Sequence, residues 1–221
     1  MDTFEVIRAL QKLGMSLGEI KEYMENRSPE RFMSMIDGKK RQIDEEIRRL
    51  KNMKRFILHE EESVRLAMNT ALDEPRLVER DREYLLVSDI SAGLERKAAV
   101  EIAEHVRMQE KYNGAVGAVG SIYLGEDLER GIYDRCVKVY TRLDKKTVSH
   151  RFRIGRRTYV ELYSRGHLWN MEKSYRLITA FAGERGIRLG KIWYEDLMLD
   201  ELTVKAYEQY IAKVMVPVGN P

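Results

Sequence analysis

The 221-residue sequence predicts an α+β protein: N-terminal helices, one of them a long dimerisation helix of coiled-coil type, followed by a duplicated βαββ domain with an antiparallel sheet. Three observations carry this prediction. Composition changes near Asp73-Glu74-Pro75, apolar residues recur every seven positions through residues 36–64, and one strand–helix–strand–strand order occurs twice after the change.

Up to Glu74 the chain holds three glycines, no tryptophan and one tyrosine, a helical composition. Beyond it lie the other 12 glycines, both tryptophans and 11 of the 12 tyrosines, in clusters that read as strands. The first part carries 14 basic and 15 acidic residues and the second 25 and 21, so neither has the charge excess of a nucleic-acid-binding surface. With 43% apolar residues the chain can bury one or two cores. No apolar run approaches the roughly 20 residues of a bilayer crossing, and the start MDTFEVIRAL is unlike a signal peptide, so the expected location is the cytoplasm with no membrane partner. Cys136 is the single cysteine, and His59, His105, His150 and His167 lack paired ligand spacing, so no disulfide, metal or other cofactor is expected.

The elements follow in order. Phe4, Ile7, Leu10 and Leu13 recur at helical spacing until Gly14 stops the helix. Ser16 then caps a second helix, with Glu19 as capping-box partner and Leu17, Ile20, Tyr23 and Met24 as its apolar stripe. Ser28-Pro29 opens a third helix that meets no breaker except Gly38 until about Asn69. A helix of that length is a rod of roughly 60 Å. Its Ile36, Ile43, Leu50, Ile57 and Val64 stand seven apart. Five such residues remove a gross ~7–15 kcal/mol of apolar exposure, against ~0.3–0.5 for each surface pair such as Asp44/Arg48 or Glu45/Arg49. Pairing with a second copy is the expected use of that face, the alternative being a long helix packed on its own domain. Lys40, Lys54 and Glu61 in the weaker seam argue against a parallel zipper, in which they would meet their own copies.

In the second part, Tyr84–Val87 reads as a strand, 95–112 as a helix, and 115–123 and 133–143 as strands. Residues 158–163, 168–185, 191–197 and 210–216 repeat that order. Duplicated units of this kind can set their sheets side by side about a pseudo-two-fold axis, with a groove between them as a natural ligand site.

On the strand 191–197, alternation puts Trp193, Glu195 and Leu197 on one face and Ile192, Tyr194 and Asp196 on the other. A carboxylate among apolar residues must be wet, protonated, hydrogen-bonded or waiting for a cation. Aromatic neighbours would favour a delocalised organic cation by ~0.5–2 kcal/mol per good contact. Tyr84, Tyr140, Tyr163 and Trp169 are candidate wall residues, with core packing as their ordinary alternative, and a solvent-facing Glu195 is the plain alternative for that residue. The run Gly114–Gly120 resembles a phosphate loop but lacks the following Lys-Ser/Thr, and is expected to be a strand with close backbone neighbours. Cys136 is expected to be an inert packed thiol.

Residues Phe4 to about Met68, with Ile7-Arg8-Ala9-Leu10-Gln11-Lys12-Leu13-Gly14 and Ser16-Leu17-Gly18-Glu19-Ile20, resemble the later part of a MerR-family regulator: two short helices and a long helix that pairs antiparallel with its copy. Residues Arg76 to Val218, with Tyr159–Gly166, Glu195–Asp200 and Val214–Val218, resemble the gyrase-inhibitor-like (GyrI-like) effector domain of multidrug-responsive MerR regulators. The resemblance implies a remnant of the DNA-binding domain over 1–27, a dimerisation helix over 28–70 and an effector domain over 76–218. It further implies that Glu195 faces the ligand cavity. The sequence departs from the family at Leu197, where an aromatic is usual, and at Gly166-His167, where Gly-Pro is usual.

A winged helix-turn-helix of the MerR kind has no counterpart before Phe4, so DNA reading is expected to be missing from this chain. The expected function is a MerR-type, homodimeric regulator sensing a small apolar or cationic organic molecule, and not an enzyme. The alternatives are a hydrolase with Glu195 as base and Tyr163 as acid, a free-standing ligand-binding protein, and a pure interaction protein held by its coiled coil.

Overall fold

The computed structural model describes residues 3–90, 96–111, 118–143, 152–154, 156–166 and 171–219. Packing divides the chain into two compact units, 1–51 and 52–221.

In the first unit, α1 (Thr3–Lys12) ends where Gly14 takes a φ of 76°, and α2 (Leu17–Glu25) starts at the expected capping box. Ser16 N–H donates to Glu19 Oε2 at 2.7 Å, and Glu19 N–H returns a bond to Ser16 Oγ at 3.3 Å. Leu10, Met15 and Ile20 form the small core of this unit. Ser28 Oγ accepts from Arg31 N–H at 3.2 Å and opens α3 (Pro29–Asn69), which runs 41 residues as the sequence predicts. On α3, Arg49 pairs with Glu46, one residue beyond the expected Glu45. Among the described residues no helix is long and apolar enough to cross a membrane.

The second unit is one eight-stranded antiparallel sheet. Its strands are β1 (Arg76–Arg80), β2 (Glu83–Asp89), β3 (Gly120–Leu124), β4 (Lys138–Leu143), β5 (Phe152–Ile154), β6 (Arg157–Arg165), β7 (Ile192–Leu199) and β8 (Ile211–Pro217), in the order β1-β6-β8-β7-β3-β4-β2-β5. With α4 (Arg96–Lys111) after β2 and α6 (Glu172–Glu184) after β6, the expected βαββ repeat is present twice. The order β6-β8-β7 is mirrored by β3-β4-β2, so the pseudo-two-fold axis passes between β7 and β3, where Tyr123 faces Trp193 and Ser121 faces Glu195.

Among the described residues four elements escape the sequence reading: the charged edge strand β1, the short edge strand β5, α5 (Gly125–Glu129), a single turn, and the 3-10 turn Tyr207–Gln209. β4 starts at Lys138 rather than at 133 because residues 133–137 form an irregular connection, and residues 115–117 of the expected third strand lie outside the described residues. Of the glycine-rich run, residues 118–120 are described; a Cβ on Gly120 would lie 2.5 Å from the Tyr140 ring, so the close neighbour is a side chain and not the expected backbone.

One face of the sheet packs Tyr123, Val139, Val160, Leu162, Trp193, Val214 and Val216 with Met171 and Ile178 of the α6 segment. Cys136 is buried in that cluster, and burial raises its thiol above the ordinary value. On the opposite face Ala67 near the end of α3 packs with Tyr163, Met198 and Ile211.

Candidate functional site

Register decides which face each candidate serves. Glu195 lies opposite Val214, which lies opposite Leu162; Asp196 lies opposite Lys213, which lies opposite Tyr163. Because neighbours across a sheet share a face, Glu195 and Asp196 open onto opposite sides.

On the α6 side, Glu195 is 6% exposed. Tyr123 OH donates to its Oε2 at 2.9 Å, and among the described residues no Lys or Arg is paired with it. Burial raises its pKa to about 7, the Tyr123 bond pulling down and the Asp196 charge adding to the rise. The Tyr123 hydroxyl is itself held far above its ordinary value by burial and by the Glu195 charge. Beside the carboxyl is a hollow of about 120 Å³ lined by Ser164, Arg165, Gly166, Lys173, Ser174, Glu195 and Ala212. It shares Arg165, Gly166 and Lys173 with an outer chamber of about 440 Å³ bounded by Leu72, Asp73, Tyr207 and Glu208. The described lining of the hollow belongs entirely to the second repeat, between the end of β6 and the start of α6. Tyr123 is the first repeat's contribution to Glu195; the expected groove between the repeats lies on the opposite face, a cavity of about 320 Å³ lined by Glu83, Ala118 and Arg142 of the first repeat and Asp196, Met198 and Lys213 of the second.

On the other side, Asp196 is the centre of a buried ion cluster. Arg142 Nη1 and Tyr140 OH each donate to Oδ1 at 2.6 Å, and Lys213 Nζ stands 2.8 Å from Oδ2. Arg142 and Lys213 overcome the desolvation and hold the Asp196 carboxyl well below its usual range. Glu161 is similarly buried and held low by Arg76 and Arg80.

The sequence-predicted wall residues are not brought together. Trp193 shares the Glu195 face but is buried against Tyr175, ring centroids 5.3 Å apart, and is not among the residues lining the hollow. Tyr140 is spent on Asp196 and faces away from Glu195. Tyr163 lies on that far face too, under Arg76 at 5.4 Å, with its hydroxyl pushed up to about 12, chiefly by burial. Glu195 and Tyr163 thus cannot serve as base and acid on one substrate. Tyr84, on β2, is separated from β7 by β4 and β3. Trp169, His150 and His167 lie outside the described residues. His105 is a satisfied core histidine: Ser88 Oγ is 2.8 Å from Nδ1 and Thr141 Oγ1 3.1 Å from Nε2.

Tyr123, Ser164 and Lys173 were not legible as site residues. Tyr123 becomes a partner of Glu195 only through the β3–β7 pairing, which no local pattern announces.

The dimerisation candidates stand on one stripe of α3. Ile43 is 57% exposed, Leu50 50% and Ile57 57%, and Ile36 and Val64 are half-buried.

A family model described as MerR, DNA binding matches residues 1–59. The expectation that DNA reading is missing is therefore not supported: the match covers α1, α2 and α3 up to residue 59. The multidrug-efflux transporter 2 regulator of Bacillus subtilis (strain 168) is 27% identical over 221 residues, covering 98% of this chain and 80% of that protein. The crystal structure of the EcmrR C-terminal domain aligns with 67% of this chain and 98% of its own, with a TM-score of 0.51 and 11% identity, a likeness of fold. EcmrR in its DNA complex aligns with 99% of this chain and 82% of its own, with a TM-score of 0.49 and 13% identity.

Proposed function

We propose that this chain is a MerR-type transcriptional regulator of the multidrug-efflux kind, and that its effector is a lipophilic organic cation received beside Glu195. The single observation that carries the effector class is a buried carboxylate with one hydroxyl donor, no paired cation among the described residues, and a hollow at its side. An ionised carboxylate in such surroundings costs several kcal/mol unless a positive charge joins it. A soft cation is the better match, because it loses less hydration than an ammonium ion on entering.

Support for the regulator comes from the MerR family match over residues 1–59 and from the similarity to a multidrug-efflux transporter regulator over nearly the whole chain. In this reading residues 1–27 belong to the DNA-binding part, 28–70 form the dimerisation helix and 76–218 the effector domain. The apolar stripe Ile36, Ile43, Leu50, Ile57 and Val64 meets a second copy, antiparallel so that Lys40, Lys54 and Glu61 avoid their own images. The protein acts in the cytoplasm, on DNA. Effector binding shifts the equilibrium between two arrangements of the dimer, by as much as the effector's affinities for them differ.

The test is a titration with methyltriphenylphosphonium followed by calorimetry near pH 7 in buffers of different ionisation heat. Saturable binding that releases protons in the wild type, but not in Glu195→Gln, is the expected result. Binding without proton release in either protein contradicts the role given to Glu195.

A further inference from the structure

Asp73 stands where the chain leaves α3 and enters β1, and it is held three ways. Its N–H donates to Tyr163 O at 2.7 Å, Ser164 Oγ donates to its Oδ1 at 2.7 Å, and Lys173 Nζ donates to its Oδ2 at 2.7 Å. Its φ is 63°, left-handed and the sole such value for a non-glycine among the described residues. Aspartate tolerates that conformation better than most residues, and the three bonds hold the joint in it.

Two of the three partners adjoin the proposed effector site. Ser164 flanks Tyr163 on β6, and both Ser164 and Lys173 line the Glu195 hollow. Lys173 also lines the outer chamber, together with Asp73 itself and Leu72. One ammonium thus stands where the two chambers meet: bonded to Asp73 on the outer side, and part of the wall that Glu195 completes on the inner side. A cation entering through the outer chamber meets Lys173 before it reaches Glu195. Two like charges a few ångströms apart near a protein surface repel each other, and salt screens the repulsion. Entry is eased if the incoming cation takes over Asp73 and Lys173 swings into water, where its half-exposed side chain already reaches.

We propose that Asp73 is a second carboxylate of the effector site and Lys173 its built-in competitor, so that effector binding displaces Lys173 from Asp73 and loosens the joint between α3 and the sheet. The inference rests on the cation reading of the Glu195 hollow and adds the residues that set its threshold and carry its signal. Coupling of this kind is reciprocal: whatever removes Lys173 from Asp73 while leaving that carboxylate in place raises cation affinity, and cation binding weakens the Lys173–Asp73 bond.

The experiment uses the full chain and two probes of similar shape, cationic methyltriphenylphosphonium and neutral triphenylphosphine oxide, with affinities measured by calorimetry and backbone exchange measured over residues 70–75. Lys173→Met should tighten cation binding by about threefold to tenfold and leave the neutral probe unchanged. Lys173→Arg, which keeps the charge, should behave as wild type, and Asp73→Asn should weaken the cation selectively. Saturating cation should speed exchange of the Asp73 amide several-fold in wild type and no further in Lys173→Met. A clasp with a structural role alone would give Lys173→Met a lower stability and an unchanged cation-to-neutral ratio. That outcome overturns the proposal; if Glu195→Gln still loses the cation selectively, the reading of the hollow survives it. A wild-type protein that binds neither probe, or a Glu195→Gln protein with an unchanged ratio, overturns both.

Discussion

Glu195 and Asp196 are neighbours on β7 whose carboxyls open onto opposite faces of the sheet and have opposite acidities. Asp196 is bonded by Arg142 at 2.6 Å and lies 2.8 Å from Lys213, while Glu195 has the Tyr123 hydroxyl at 2.9 Å. One strand therefore carries a satisfied charge and an unsatisfied one side by side, and the pleat keeps them from sharing partners. The carboxylate paired with two cations holds the sheet; the other is the one we propose meets a ligand.

Removing Asp196 should be expensive. Asp196→Asn leaves Arg142 and Lys213 buried beside a neutral amide, and breaking a buried pair from one side costs about 3–5 kcal/mol. Chemical denaturation should show that loss with little change in the slope. A loss below about 1 kcal/mol would mean that the two cations find other partners, with Glu83, 3.0 Å from Arg142 Nε, the nearest candidate.

For Glu195 the sign is reversed. Its pKa rises from 4.5 to about 7 on folding. Below 4.5 both folded and unfolded chains hold the proton and nothing is lost. Between 4.5 and 7 the unfolded chain releases it and the folded chain does not, so stability falls as pH rises, by about 3 kcal/mol in all, and is flat above 7. Glu195→Gln keeps an acceptor for Tyr123 and loses the titration. It should match wild type at pH 4 and exceed it by up to about 3 kcal/mol at pH 8. Parallel stability curves across that range would place Glu195 in water.

The Tyr123 hydroxyl lowers the Glu195 pKa, so Tyr123→Phe should raise it further and weaken cation binding most near pH 7, where the protonated fraction grows. Carbon-detected NMR titration of the glutamate carboxyl reads the shift directly. The lost hydrogen bond should also cost about 1 kcal/mol of stability. An unmoved titration would show that Tyr123 is a packing residue alone.

On α3, Ile43→Asp combined with Leu50→Asp should convert dimers to monomers in sedimentation velocity, since each removes about 1.5–3 kcal/mol of apolar burial and adds a charge to the seam. Dimers that persist would move the interface off this stripe.

The sequence made local chemistry legible and left long-range register hidden. Ser16 and Glu19 announce the capping box because both partners lie within one turn, and Ile43, Leu50 and Ile57 announce the stripe because seven residues make two turns. Alternation along 191–197 put Glu195 and Asp196 on opposite faces before any pairing was known. Which face of β4 or β6 joins Glu195 depends on pairing across the sheet, and a slip of one residue reverses every side chain. Tyr140 and Tyr163 were expected beside Glu195 and lie on the Asp196 side for that reason, whereas Tyr123 was overlooked and holds the carboxylate. β1 was missed because Arg-Leu-Val-Glu-Arg reads as a charged connection; its arginines face Glu161 only after folding. Asp73, 91 residues from Ser164 and 100 from Lys173, had no local signal at all.

We propose that the carboxylate at position 195 is held ready for a positive charge. The most direct measurement of that readiness is the ratio of affinities for methyltriphenylphosphonium and triphenylphosphine oxide in wild type and Glu195→Gln at pH 8. The substitution should lower the cation's affinity by at least about tenfold while the neutral probe binds as before. Equal affinities for the cation in both proteins, or equal losses for both probes, would contradict it.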